Sequence, residues 1–161
     1  MELENKGYPV VPESFHAQGI GTNTILVYLN KTNKVTELSQ QQLRDIFTGE
    51  ITNWKQVGGD NQGIVVVWGG EMPEKNRLFQ QYVIGSRPIV KTAVWATYQK
   101  DIIEYIIKTP GAIGIASNVY TSAQTHSPKT PFVSANVFAV TKGAPSKDDQ
   151  KLLEEIKTFD N

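Results

Sequence analysis

The sequence contains no cysteine. That absence excludes a disulfide scaffold, a thiolate metal site and a cysteine nucleophile together. Histidine is scarce as well: His16 and His126 lie far apart, with no acidic residue at metal-ligand spacing beside either, so no metal site and no histidine base is expected. Neither charge is in excess, with 16 basic residues against 16 acidic ones and no basic run longer than a pair. Nucleic acid and anionic membrane are therefore not expected as partners. No stretch reaches the roughly 20 apolar residues that cross a bilayer, and the first six residues have neither the basic start nor the apolar run of a signal peptide. Met1 is accordingly read as a start placed after a removed signal or upstream segment. Nucleophile elbows, zinc-protease helices and phosphate loops of the nucleotide-binding kind are all missing, which leaves no catalytic residues and no cofactor to assign.

What is present suits one globular core, because 161 residues with 39% apolar content match a single domain. Residues 8–21 carry Pro9, Pro12, Gly19 and Gly21 without a period, so residues 1–21 are read as an irregular lead-in, a remnant of another lobe or flank, and residues 22–161 as the domain. Residues 24–29 form a continuous run of β-formers, as in a strand covered on both faces. A helix then starts at Ser39, where Gln42 completes a capping box and Leu38 and Leu43 a hydrophobic staple. It buries Leu43, Ile46 and Phe47 and stops at Gly49.

Further strands are expected at 64–67, 112–115 and 133–140. Helices are expected from Pro73, over 89–98 and 102–107, and from a Ser146 cap onward with Leu152, Leu153, Ile156 and Phe159 buried. The segment 121–130, rich in Ser, Thr, Gln and Pro, reads as a surface loop. Alternating strands and helices predict an α/β three-layer sandwich, with a mainly parallel sheet and helices on both faces.

Several lesser signals have plain readings. Gly19-Ile-Gly21-Thr22 is half of a dinucleotide fingerprint in the wrong place, before a strand. Asn30-Lys-Thr32 has the form of a glycosylation acceptor but reads as a turn. The carboxylate pairs Asp148-Asp149 and Glu154-Glu155 lie on the polar face of the last helix. Trp54 and Trp95 are expected in the core, while Trp68, ending a strand before a glycine break, is expected to line a cleft. Ligands of open α/β sheets gather beyond the carboxyl ends of strands, near helix N-termini. The break after Trp68 therefore gives the candidate ligand site: Trp68, Gly69, Gly70, Lys75, Asn76 and Arg77, with Thr22 and Asn23 at the first strand.

The stretch Leu38-Ser-Gln-Gln-Gln-Leu-Arg-Asp-Ile-Phe-Thr-Gly-Glu-Ile-Thr-Asn-Trp-Lys-Gln-Val-Gly-Gly59 resembles the opening of the second lobe in the phosphate-binding proteins of ABC transporters. Pro110-Gly-Ala-Ile-Gly114 is similar to a turn of the same family, and residues 24–30 and 137–143 look like its two hinge strands. The resemblance implies a periplasmic-binding-protein-like lobe that closes on a small anion such as phosphate. It also implies work in the periplasm or outside the cell, or tethered as a lipoprotein, with a membrane permease or a second lobe as partner. One part of the family pattern is replaced: where an arginine ends the strand and Ser-Gly-Thr opens the helix, this chain has Trp68 and Gly70-Glu-Met-Pro-Glu-Lys-Asn-Arg77. Glu71 and Glu74 would repel a divalent anion by about 1 kcal/mol each near a surface. The alternative reading is a non-catalytic sensory or protein-interaction module that keeps the fold without the anion.

Overall fold

The computed structural model describes residues 3–5, 11–70, 73–131 and 133–158. The chain forms two compact units, one joining Met1–Leu3 to Thr24–Val133 and the other joining Glu4–Asn23 to Ser134–Asn161.

The larger unit is built on the last part of strand β2 (Phe15–Asn30; β1 is Leu3–Asn5) and on β3 (Val65–Gly69), β4 (Val94–Ala96), β5 (Ala112–Ser117) and the two-residue β6 (Thr125–His126). Strands β3, β4 and β5 are parallel, with Val67 opposite both Val94 and Gly114. β2 closes the other side of β5 antiparallel, with Val27 opposite Ile115, and β6 adds to β2. Alternation along β3 sorts the layers. Trp68 meets the rings of Phe47 and Phe79 from α1 (Gln40–Thr48) and α2 (Pro73–Phe79). Val67 joins Tyr28 and the Ile102, Ile103 and Ile106 stripe of α3 (Gln99–Lys108) on the opposite face. Helices thus cover both faces of a sheet with a parallel centre, the layered α/β architecture expected.

Helix α1 begins and ends as its sequence dictates. The Ser39 hydroxyl accepts from the Gln42 amide, the Gln42 side chain accepts from the Ser39 amide, and Gly49 takes a left-handed φ of 85°. A second capping box, at Asn53 and Gln56, starts the 3-10 turn that carries Trp54.

Two expectations for this unit change. The segment 89–98 is not a helix: a turn at residues 91–92 leads into β4, whose β-branched and aromatic residues pair with β3. Because β4 ends the strand order, Trp95 is 64% exposed rather than in the core. Asn30 is buried, and its Nδ2 donates to the carbonyls of Ile106 and Ile107 at 2.8 and 3.0 Å. The apparent glycosylation acceptor therefore caps the end of α3.

In the smaller unit, β1, β7 (Val133–Lys142) and the first part of β2 lie in that order, followed by α4 (Lys147–Thr158). The irregular lead-in is corrected here: β2 is already extended from Phe15, and Gly19 and Gly21 sit inside it. Ser146 caps α4 as expected, accepting from the Asp149 amide at 3.2 Å. Of the apolar stripe on α4, Leu153 is buried while Leu152 and Ile156 are exposed; Phe159 lies outside the described residues.

Candidate functional site

The parallel strands place their carboxyl ends together, at Gly69, Ala96 and Ser117. Each strand leaves this edge into a helix or 3-10 turn: β3 into α2, β4 into α3, and β5 into Asn118–Tyr120. Gly69 lies opposite Ala96 in register, and the Gly70 amide donates to the Ala96 carbonyl at 2.7 Å. Asn76, one turn into α2, donates from Nδ2 to the Gly69 carbonyl at 2.6 Å, leaving its buried Oδ1 without a hydrogen-bond partner. The Gln99 side chain accepts from the Ser117 amide at 2.7 Å and so ties the second connection to the third. Behind them the Tyr28 hydroxyl donates to the Ser117 carbonyl at 3.0 Å, and burial pushes its pKa above the ordinary value of 10.0.

The structure brings together Trp68, Gly69, Gly70 and Asn76, and places Lys75 and Arg77 on the same short helix. It also shows what the sequence conceals: donors counted for a ligand are already engaged. The Gly70 amide serves Ala96, the Asn76 side-chain amide serves Gly69, and the exposed Arg77 donates to Gln81 at 3.3 Å. Lys75, half-buried, immediately precedes Asn76 on α2. Trp68 does not line a cleft with its ring. Its indole packs edge-on against Phe47, with centroids 5.8 Å apart, and tilted against Phe79 at 6.2 Å, and only 4% of the residue is exposed. Thr22 and Asn23 belong to the smaller unit, on β2.

Trp54 and Gly111, one from each signature stretch, lie at the opposite, amino end of the parallel strands. Trp54, fully buried, donates from Nε1 to the Gly111 carbonyl at 3.0 Å, and the Val65 amide donates to the same oxygen at 3.0 Å. A Cβ on Gly111 would lie 2.2 Å from the Gly63 carbonyl oxygen. The tryptophan of one motif and the glycine of the other are thus two halves of one packing arrangement.

A family model described as a PBP superfamily domain matches residues 5–159. The chain belongs to the PBP superfamily. Among curated relatives of this PBP domain is the phosphate-binding protein PstS of Bacillus subtilis (strain 168). It is 31% identical over 93 residues, which are 57% of this chain and 30% of the relative. The phosphate-binding protein PstS 2 of Streptococcus agalactiae serotype V is 50% identical over 38 residues, 24% of this chain and 13% of the relative. The chain therefore matches less than a third of the length of either. A solved structure from Clostridium perfringens, described as a phosphate ABC transporter substrate-binding protein with bound phosphate, superposes with a TM-score of 0.75. It is 24% identical, and the match covers 88% of this chain and 65% of that one. An ABC-type phosphate transport receptor from Vibrio cholerae gives 0.69 at 20% identity, covering 92% and 68%. At these identities the superpositions establish the PBP fold.

The two histidines fall in different units. His126 Nε2 lies 2.9 Å from the Asn33 carbonyl in the larger unit. His16 lines an open pocket of about 410 Å³ in the smaller unit with Gln18, Pro145, Gln150 and Glu154. His16 and Glu154 are both exposed there, and among the described residues no group of three or more ligating side chains could hold a metal. No described helix is long and apolar enough to cross a membrane.

Proposed function

We propose that this chain is an extracytoplasmic solute-binding domain of the phosphate-transport type, presenting a small solute to a membrane permease and holding it without covalent chemistry. The observation that carries the reading is the PBP match over residues 5–159. The carboxyl edge of β3, β4 and β5 is intact in this chain, and that is where open α/β sheets take their ligands. The domain of residues 22–161 is the solute-binding part, acting with a second lobe or with the permease directly.

Phosphate is the solute to test first, because the relatives are named for it. In this reading the anion sits beside Gly69, Gly70 and Asn76 against the Lys75 ammonium, with Arg77 on the same helix. Binding requires the Gly70 and Asn76 donors to exchange their internal carbonyl partners for the anion. Amide NMR shifts followed during a phosphate titration test this. Movement at Gly69, Gly70, Lys75 and Asn76 supports the reading; a folded domain whose amides there stay still in millimolar phosphate removes the anion from it.

A further inference from the structure

Strand β2 has two environments along its own length. From Ile25 to Leu29 it has β5 on one side, with Ile25 opposite Ser117 and Leu29 opposite Ile113, and Ile25 and residues 27–30 are buried. From Phe15 to Asn23 the strand order places β7 on one side, and among the described residues no strand pairs with the other edge. None of residues 15–23 is buried. One strand is thus complete where it has two neighbours and bare where it has one.

The bare edge offers backbone donors and acceptors. The Ser14 carbonyl accepts from the Gly143 amide at 2.7 Å, and a Cβ on Gly19 would lie 3.8 Å from the Phe138 ring, so β2 and β7 run antiparallel with Ser14 turned toward β7. Backbone groups alternate in direction along a strand, so Ala17, Gly19 and Gly21 turn theirs to the side away from β7. Natural sheets protect such an edge with charge, proline or a bulge. Residues 15–24 read Phe-His-Ala-Gln-Gly-Ile-Gly-Thr-Asn-Thr, without Lys, Arg, Asp, Glu or Pro. An unprotected edge of this length is a template for another strand.

We infer that residues 15–23 of β2 pair antiparallel with the same residues of a second copy of this chain, making one sheet across a two-fold axis. A bare strand edge is satisfied by backbone in register, which an extended strand supplies and a helix does not. The chain's own strand also meets the requirement that no like charge stand opposite, because the stretch has none to oppose. The charged groups around it are of both signs: Glu13 before it, Lys142 at the end of β7, Glu154 in the pocket shared with His16 and Gln18, and Lys151 three residues earlier on α4. This contact lies in the smaller unit and does not depend on the anion reading at Gly69 to Arg77.

Sedimentation velocity of the whole chain from roughly 1 to 500 µM, the range in which weak dimers form, is expected to show a concentration-dependent dimer. Amide hydrogen exchange at Ala17, Gly19 and Gly21 should slow over the same range. Ala17→Pro removes an N–H turned to the open edge and no bond to β7, and should abolish the dimer while the remaining amide spectrum keeps its dispersion. Gln18→Lys and Gln18→Glu each bring like charges together across the two-fold axis and should each weaken the dimer by about tenfold or more. Mixing the two should restore it, which a variant that merely failed to fold would not do. A chain that stays monomeric throughout overturns the inference. So do a dimer that survives Ala17→Pro, a dimer in which Ala17, Gly19 and Gly21 exchange as fast as in dilute solution, and charge variants that mixing leaves apart.

Discussion

The two ends of the parallel strands in the larger unit are built to opposite rules. At the amino end, Trp54, Gly111, Gly63 and the start of β3 lock together through buried hydrogen bonds and a backbone approach that admits no Cβ. Nearby, Asn30 closes the end of α3. At the carboxyl end, Trp95 and Tyr98 stand exposed where β4 leads into α3. Trp54 and Gly111, one from each motif that resembles the phosphate-binding family, meet at the amino end and report how this unit is held together. In the proposed function the solute is held at the other end, where the sequence departs from the family pattern.

The largest effect should come from breaking the amino end. Trp54→Ala removes a large buried side chain and one of the donors to the Gly111 carbonyl, and is expected to cost about 3–5 kcal/mol in urea unfolding. Gly111→Ala should be comparably damaging, since its Cβ would strike backbone rather than a movable side chain. Asn30→Ala is next, at about 2 kcal/mol, because it strips donors from helix-end carbonyls in a buried setting; thermal unfolding measures it.

Tyr28→Phe crosses to the carboxyl end and should cost about 1 kcal/mol at neutral pH for the lost Ser117 contact. Its sharper signature is in alkali. The fold raises the phenol's pKa above 10.0, so the native state holds that proton more tightly than the unfolded chain. The resulting stability is intact below the unfolded pKa and is lost as pH rises through the native one. The gap between wild type and Tyr28→Phe should therefore close in alkaline unfolding curves. Trp95→Ala comes last, within about 0.5 kcal/mol of wild type, as for a side chain outside the core. A loss from Trp95→Ala rivalling that from Trp54→Ala would erase the distinction between the two ends.

Local signals in the sequence were legible where one turn of chain contained them. Ser39, Gln42 and Gly49 specify α1 because the cap, its reciprocal partner and the left-handed stop all lie within eleven residues. Residues 24–29 and 64–67 read as strands because both faces are covered. The segment 89–98 misled because its apolar spacing also fits a helix, and only pairing with β3 decides for a strand. Trp95 was then misplaced because edge position is a property of the strand order. The extension of β2 back to Phe15 was hidden by Gly19 and Gly21, which read as breaks. At the candidate site the availability of the donors was not legible. The contacts from Gly70 to Ala96 and from Asn76 to Gly69 use backbone carbonyls, and carbonyls leave no mark in a sequence.

The unequal placement of the three tryptophans gives the protein a built-in optical gauge. Trp54 and Trp68 are shielded while Trp95 stands in solvent, so a collisional quencher such as acrylamide should extinguish one indole first and leave the blue-shifted emission of the other two. Loosening of the core would appear as growth of that quenchable fraction, which lets one fluorescence experiment report a lesion.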